Sequence, residues 1–246
     1  RATGELTPRV KPDKQPLYRL GLKSFFEEGR SLAQISHPSV VSVLNFFREN
    51  ETVYMVMNYL QGDTLQDFIV TARDLKRDKV FRESTIRSLF DEILRGLRIV
   101  HQHKMLHLDI KPANVIVDPG GTAKIVDFGL AKAVAPEAMS GDGPSVNPAH
   151  SPTVTSFGTL AGVILGTAAY MSPEQARGGA TDRRADIWAF GVVLWEMLTG
   201  ASMFAAETVS DTLASVLQAQ IDLEDLPEDL PAPVKKLISR CLQRDP

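Results

Sequence analysis

The chain has 246 residues, 43% of them hydrophobic and 23% charged, and its 27 Lys and Arg against 30 Asp and Glu leave a net charge of −3. That balance gives no basic excess to draw it onto nucleic acid or an anionic membrane, so neither is expected as a partner. Its single cysteine, Cys241, excludes an internal disulfide and fits a reducing cytoplasm, where we expect the chain to work. The longest uncharged apolar stretch, 157–171, is shorter than the roughly 20 residues of a spanning helix, although an anchor outside these residues is compatible with the sequence. Arg1 follows no initiator Met and no signal peptide is visible, so the chain reads as a piece of a longer protein. It is long enough to bury one large core or two lobes.

In chain order, a helix is expected from about Ser24 to Ile35, where Phe25, Phe26, Leu32 and Ile35 fall on one face. Two strand-like runs follow, Val40–Phe47 and Thr52–Leu60, separated by the polar turn 48–51. Ser84 is expected to cap a long amphipathic helix carrying Ile86, Leu89, Phe90, Ile93, Leu94, Leu97 and Val100. Short β runs at Val115–Val117 and Ala123–Val126 flank the turn 118–121. Residues 135–156 interleave Pro and Gly with Ser and Thr, a composition that reads as a mobile surface loop. Ile187–Leu198 is apolar almost all round and stops at Gly200, as a buried central helix does. Helices near Thr208–Ala219 and Pro233–Leu242 close the chain. Strands early and helices late predict an α+β fold with two unequal lobes.

The chemistry concentrates in His107-Leu108-Asp109-Ile110-Lys111-Pro112-Ala113-Asn114, followed after a short hairpin by Asp127-Phe128-Gly129. Phosphoryl transfer needs a carboxylate for the hydroxyl proton, a cation at the γ-phosphate and oxygen ligands for Mg²⁺. Asp109, Lys111, Asn114 and Asp127 are residues of those types, and the hairpin returns Asp127 beside Asn114. One carboxylate and one amide oxygen suit Mg²⁺, which keeps several of its waters. Each motif alone is compatible with a chance Asp-rich turn; their order, between a long helix and a buried one, argues against chance.

These motifs resemble the catalytic loop and metal-binding triplet of the Hanks-type protein kinases, and the likeness extends across nearly the whole chain. It implies a bilobal kinase-like fold, with residues 1–57 forming part of the smaller lobe and 58–246 the mostly helical larger lobe. Asp109, Lys111 and Thr167 would be catalytic, Asn114 and Asp127 would bind Mg²⁺, and ATP would be the phosphate donor. Glu28 sits where the family has its helix glutamate, counted back from His37-Pro38. Met57 resembles the gatekeeper, and Asn58, Tyr59 and Leu60 resemble the hinge; with Asp63 and Ile116 they complete the implied nucleotide site. Ser172-Pro173-Glu174 resembles the end of an activation segment spanning 127–174, and the run 170–175 resembles bacterial members. Asp186-Ile187-Trp188-Ala189-Phe190-Gly191 matches the central helix whose Asp braces the catalytic loop. Lys111 and Thr167 are the choices of a Ser/Thr kinase. The resemblance gives His107 a packing role under Phe128, in a stack with Leu32 and Val43, instead of a role as base. His37, His101 and His103 have no partners at metal spacing and are given no ligand role, and Asp142 is read as a solvated loop residue.

The sequence departs from the family in three places. No glycine-rich phosphate loop precedes Glu28, and Lys11, Lys14 and Lys23 lie in no apolar strand, so Glu28 lacks its ion-pair partner. Leu108 stands where an arginine usually pairs with an activation-loop phosphate. The chain stops at Pro246, before the arginine that usually pairs with the residue corresponding to Glu174. The resemblance therefore implies a Ser/Thr protein kinase truncated at both ends and weakly active as it stands. The alternatives are a kinase-like scaffold or nucleotide-sensing pseudokinase, and a small-molecule kinase, which the long activation segment disfavours. Ser140, Ser145, Ser151, Thr153, Thr155, Ser156 and Thr159 are accessible hydroxyls for phosphorylation by a second copy, so self-association is expected beside a protein substrate.

Overall fold

The computed structural model describes residues 15–75, 83–128 and 166–245. Lys11, Lys14, Gly129, Asp142 and the hydroxyl-bearing residues of the 135–159 region lie outside them. The first helix, α1 (Gln15–Leu32), begins nine residues before the expected start and ends three before the expected end. Its first turns contain Pro16 and Gly21, residues of low helix propensity that mask the start in the sequence. The Tyr18 hydroxyl donates to the Glu51 carbonyl at 3.3 Å and ties that end to the hairpin below. Ile35 lies past the helix but is buried all the same. Lys23 pairs with Glu27 one helical turn on, at 3.8 Å.

Strands β1 (Val43–Glu49) and β2 (Thr52–Met57) form an antiparallel hairpin. Asn50 and Glu51 both take positive φ, 51° and 57°, the two-residue turn whose twist suits flanking strands. Helix α1 packs closely on this hairpin at Gly29. A Cβ there would sit 2.3 Å from the Phe46 ring, so only glycine lets the helix approach. A second sheet, β3 (Asp63–Thr64), β4 (Val115–Val117) and β5 (Ala123–Ile125), is antiparallel in that order. It pairs Asp63 with Val117 and Thr64 with Ile116. Thr64 also caps α2 (Leu65–Asp74), exchanging bonds with Asp67.

Helix α3 (Glu83–Gln102) starts at Glu83, so Ser84 lies inside the helix instead of capping it. After the 3₁₀ turn Pro112–Asn114 and the β4–β5 hairpin come the four-residue α4 (Pro173–Ala176) and the central α5 (Arg183–Thr199). Asp182 caps α5, and Gly200 ends it in the left-handed conformation at φ 71°. Twelve of its residues from Ala185 to Met197 are buried, as its uniform apolarity predicts. Helix α6 (Val209–Gln218), capped by Thr208, packs on α4, and α7 (Ala232–Cys241) packs on α5. The main core gathers α2, α3, β4, β5, α5 and the C-terminal helices. A smaller one joins Leu32, Ile35, Val40, Val41, Val100, Val126 and Phe128, with Val43 and Met57 packed against it. No described helix is long and apolar enough to cross a membrane.

Candidate active site

The loop 107–114 leaves the end of α3 and is gripped from below by one buried carboxylate. Asp186, on the first turns of α5, is fully buried. It accepts from the His107 amide at 2.9 Å and the Leu108 amide at 2.7 Å, and pairs with His101 Nε2 at 2.8 Å. Three donors satisfy a carboxylate that burial would otherwise make costly. The sequence pointed to Asp186; the contribution of His101 left no sequence signal.

His107 is fully buried under Phe128, their ring centroids 4.5 Å apart. Its Nδ1 accepts from the Asp109 amide at 3.3 Å, so its Nε2 carries the proton and donates to the Val126 carbonyl at 3.0 Å. Both ring nitrogens serve the loop's geometry, which fits the packing role. His37 Nδ1 accepts from the Ser39 amide, and His103 Nδ1 meets the Ile99 carbonyl, each within its own turn.

Four of the residues singled out in the sequence meet above this base. Lys111 Nζ lies 3.0 Å from Asp109 Oδ2 and donates to Thr167 Oγ1 at 2.9 Å, reaching across 56 residues of chain. Asp109 and Lys111 side chains are 17% and 16% exposed, so their attraction acts in a partly desolvated setting. Asn114 Nδ2 donates to the Asp109 carbonyl at 2.8 Å and to Asp109 Oδ2 at 2.9 Å. It also approaches the Asp127 carbonyl at 3.4 Å. With the amide nitrogen spent on these oxygens, Oδ1 is the end of Asn114 left for a cation. Asp127 is exposed at φ 53°, a left-handed conformation uncommon outside glycine. An amide oxygen and a carboxylate beside it are hard donors of the kind Mg²⁺ takes together with phosphate oxygens and water, so the residues present fit that ion. Among the described residues no group of three or more His, Cys, Asp or Glu is arranged to hold a metal unaided.

The residues assigned to the nucleotide are brought together only in part. Tyr59, Leu60 and Ile116 line a cleft of about 400 Å³ with Gln61, Lys124 and the turn 118–120. Asp63 lies across the sheet from Val117, while Met57 faces the smaller core. The Asn58 amide is bonded to the Ser42 carbonyl at 3.0 Å. Glu28, on α1, is not part of the cleft lining. Burial pushes its carboxyl up to about 7, with no cation among the described residues opposing the shift.

Two features were not legible in the sequence. Tyr170 donates its hydroxyl to the buried Glu196 of α5, and Arg73 of α2 approaches Glu196 at 3.8 Å while its guanidinium donates to the Gly200 carbonyl. Burial raises the pKa of both Tyr170 and Glu196. Gln175 bridges α4 to the loop 107–114, its Nε2 donating to the Leu108 carbonyl at 3.2 Å. Glu174, expected to be without its usual arginine, lies in the field of Arg184. That guanidinium's pKa is raised by Asp182 first and by Glu174 and Asp245 further down.

A buried carboxylate bracing a loop of Asp, Lys and Asn, beside an Asp-Phe turn, is an arrangement of the protein kinase class. A family model described as "Protein kinase domain" matches residues 8–246, and the chain belongs to that family; its fold is the bilobal α+β kinase fold with small sheets. Among its relatives it is 30% identical over 226 residues to serine/threonine-protein kinase PrkC of Bacillus subtilis, covering 92% of this chain and 31% of that protein. It is 28% identical over 239 residues to serine/threonine-protein kinase PknL of Mycobacterium tuberculosis, covering 97% and 52%. It is 29% identical over 231 residues to serine/threonine-protein kinase PknB of Mycobacterium leprae, covering 90% and 33%. The chain thus spans about a third to a half of the length of these relatives.

Proposed function

We propose that the protein transfers the γ-phosphate of Mg-ATP to Ser or Thr hydroxyls of a protein substrate. The observation that carries this reading is the contact of Asp109 with both Lys111 and Asn114, with Thr167 on the far side of the lysine. In it, Asp109 orients the acceptor hydroxyl and takes up its proton. Lys111, held between Asp109 and Thr167, places a cation where charge develops on the transferred group. Asn114 Oδ1 and the Asp127 carboxylate would hold Mg²⁺, which when bound neutralises phosphate charge. Asn58, Tyr59 and Leu60 would meet the adenine through their backbone, with Met57 behind, Ile116 beneath and Asp63 at the ribose side. Glu28 would pair with a lysine that anchors the phosphates. We assign residues 1–57 to that lobe and 58–246 to the larger one.

Protein substrates follow from the resemblance of 127–174 to a peptide-docking segment, and self-association for phosphorylation in trans from its hydroxyl-rich sequence. The reducing, ATP-rich cytoplasm suits both the lone cysteine and the donor. The test is transfer of labelled γ-phosphate by the full-length protein and by Asp127→Asn. The substitution should abolish labelling while leaving the protein folded; undiminished turnover would remove Asp127 from the mechanism.

A further inference from the structure

Leu108 occupies a conformation that its side chain disfavours. Its φ is 59°, in the left-handed region, where the Cβ of an L-residue crowds the following carbonyl. Such strain persists only where the surroundings over-determine it. The amide of Leu108 is held by Asp186 Oδ1, and its carbonyl accepts from Gln175 Nε2. That carbonyl belongs to the peptide unit joining Leu108 to Asp109. The same unit's N–H donates to His107 Nδ1. The peptide plane that aims Asp109 is therefore fastened at its oxygen by Gln175 and at its nitrogen by His107.

Gln175 has a second task, and the two together fix which way its amide points. Its Oε1 accepts from the Ser172 amide at 2.9 Å, while its own amide donates to Ser172 Oγ at 3.4 Å, the reciprocal cap of α4. A backbone N–H requires the oxygen and a backbone carbonyl requires the NH₂, so the carboxamide has one orientation. Glutamate serves such a cap equally well. Only an amide can also donate to Leu108.

We propose that Gln175 is a positioning residue for phosphoryl transfer: it locks the Leu108–Asp109 peptide to the helix after Ser172 and so holds Asp109 in its reacting orientation. The lock needs no phosphate, and its acceptor is a backbone carbonyl, so it does not depend on an arginine at position 108. This rests on the kinase reading above, but its test does not stand on activity alone.

The experiment compares the full-length protein with Gln175→Glu, which keeps the cap and places an acceptor against the Leu108 carbonyl. Turnover should fall roughly tenfold, with KM for ATP and the melting temperature essentially unchanged. Hydrogen exchange at the Asp109 amide should accelerate in the same variant. In a Leu108→Gly background the left-handed backbone costs no side-chain strain, so Gln175→Glu should cost distinctly less than it does beside Leu108. Unchanged turnover and exchange in Gln175→Glu would overturn the proposal. So would a loss that tracks a lowered melting temperature, or one of full size in the Leu108→Gly background. If the unmodified protein transfers no phosphate, the kinase reading fails, while the exchange measurement still decides whether Gln175 holds the loop.

Discussion

The two ends of the molecule solve the burial of charge in opposite ways. Around α5, Asp186 is wholly buried and meets three donors, and Glu196 is buried against a tyrosine hydroxyl and an arginine. In the helix–hairpin layer of α1, β1 and β2, Glu28 is partly desolvated with no compensating cation among the described residues. Leu44, Phe47, Tyr54 and Val56 of that hairpin are also left exposed. The region around α5 is an internally satisfied scaffold that holds the loop 107–114. The helix–hairpin layer instead leaves a carboxylate without a compensating cation among the described residues and an apolar strand face open to solvent. Charge satisfaction, more than hydrophobic content, separates the two regions.

The sharpest way to break this contrast is Asp186→Ala. Two backbone amides and His101 would lose their acceptor at once, and buried unpaired donors cost about 1–3 kcal/mol each. Urea unfolding should show a loss of several kcal/mol along with the collapse of activity. A loss below about 0.5 kcal/mol, typical of surface substitutions, would mean the brace is not structural.

Tyr170→Phe should cost less, about 1–3 kcal/mol, the penalty for leaving one partner of a buried bond unmet. Glu196 already has its pKa raised by burial, and losing the hydroxyl would raise it further. The penalty should therefore grow with pH as Glu196 is forced to ionise, which stability curves at acid and alkaline pH would reveal.

Glu28→Gln probes the other half and should have the smallest effect. The folded carboxyl titrates near 7 against an ordinary 4.5, so the folded state binds the extra proton between those values. Its contribution is fully present below about 4.5 and is lost as pH rises through about 7. The wild-type stability should fall across that window, and the variant should flatten the fall and be the more stable at pH 8. A wild-type curve that rises through the window would place a cation beside Glu28.

Much of the architecture could be read from local patterns. The all-apolar α5 and its Gly200 stop, the helix after Thr208 and the β4–β5 hairpin each depend on residues close in sequence. The cluster of Asp109, Lys111 and Asn114 was legible because these residues are near neighbours, and Asp127 returns beside them through that hairpin. What escaped depends on distance: Gln175 reaches Leu108 across 67 residues, and Arg73 reaches Gly200 across 127. Single polar residues on separate elements leave no periodic trace, so only the fold discloses such pairs. The start of α1 is not legible because Pro16 and Gly21, both weak helix formers, interrupt its first turns.

The account stands most directly on Asp109. Full-length protein and its Asp109→Asn variant would be incubated with labelled ATP, Mg²⁺ and Ser/Thr peptides, with acid-stable label counted after equal folding is established. Label on serine or threonine from the unmodified protein, reduced at least about 100-fold in the variant, is the predicted result. Equal labelling by both would contradict the assignment of the hydroxyl-orienting role to this carboxylate.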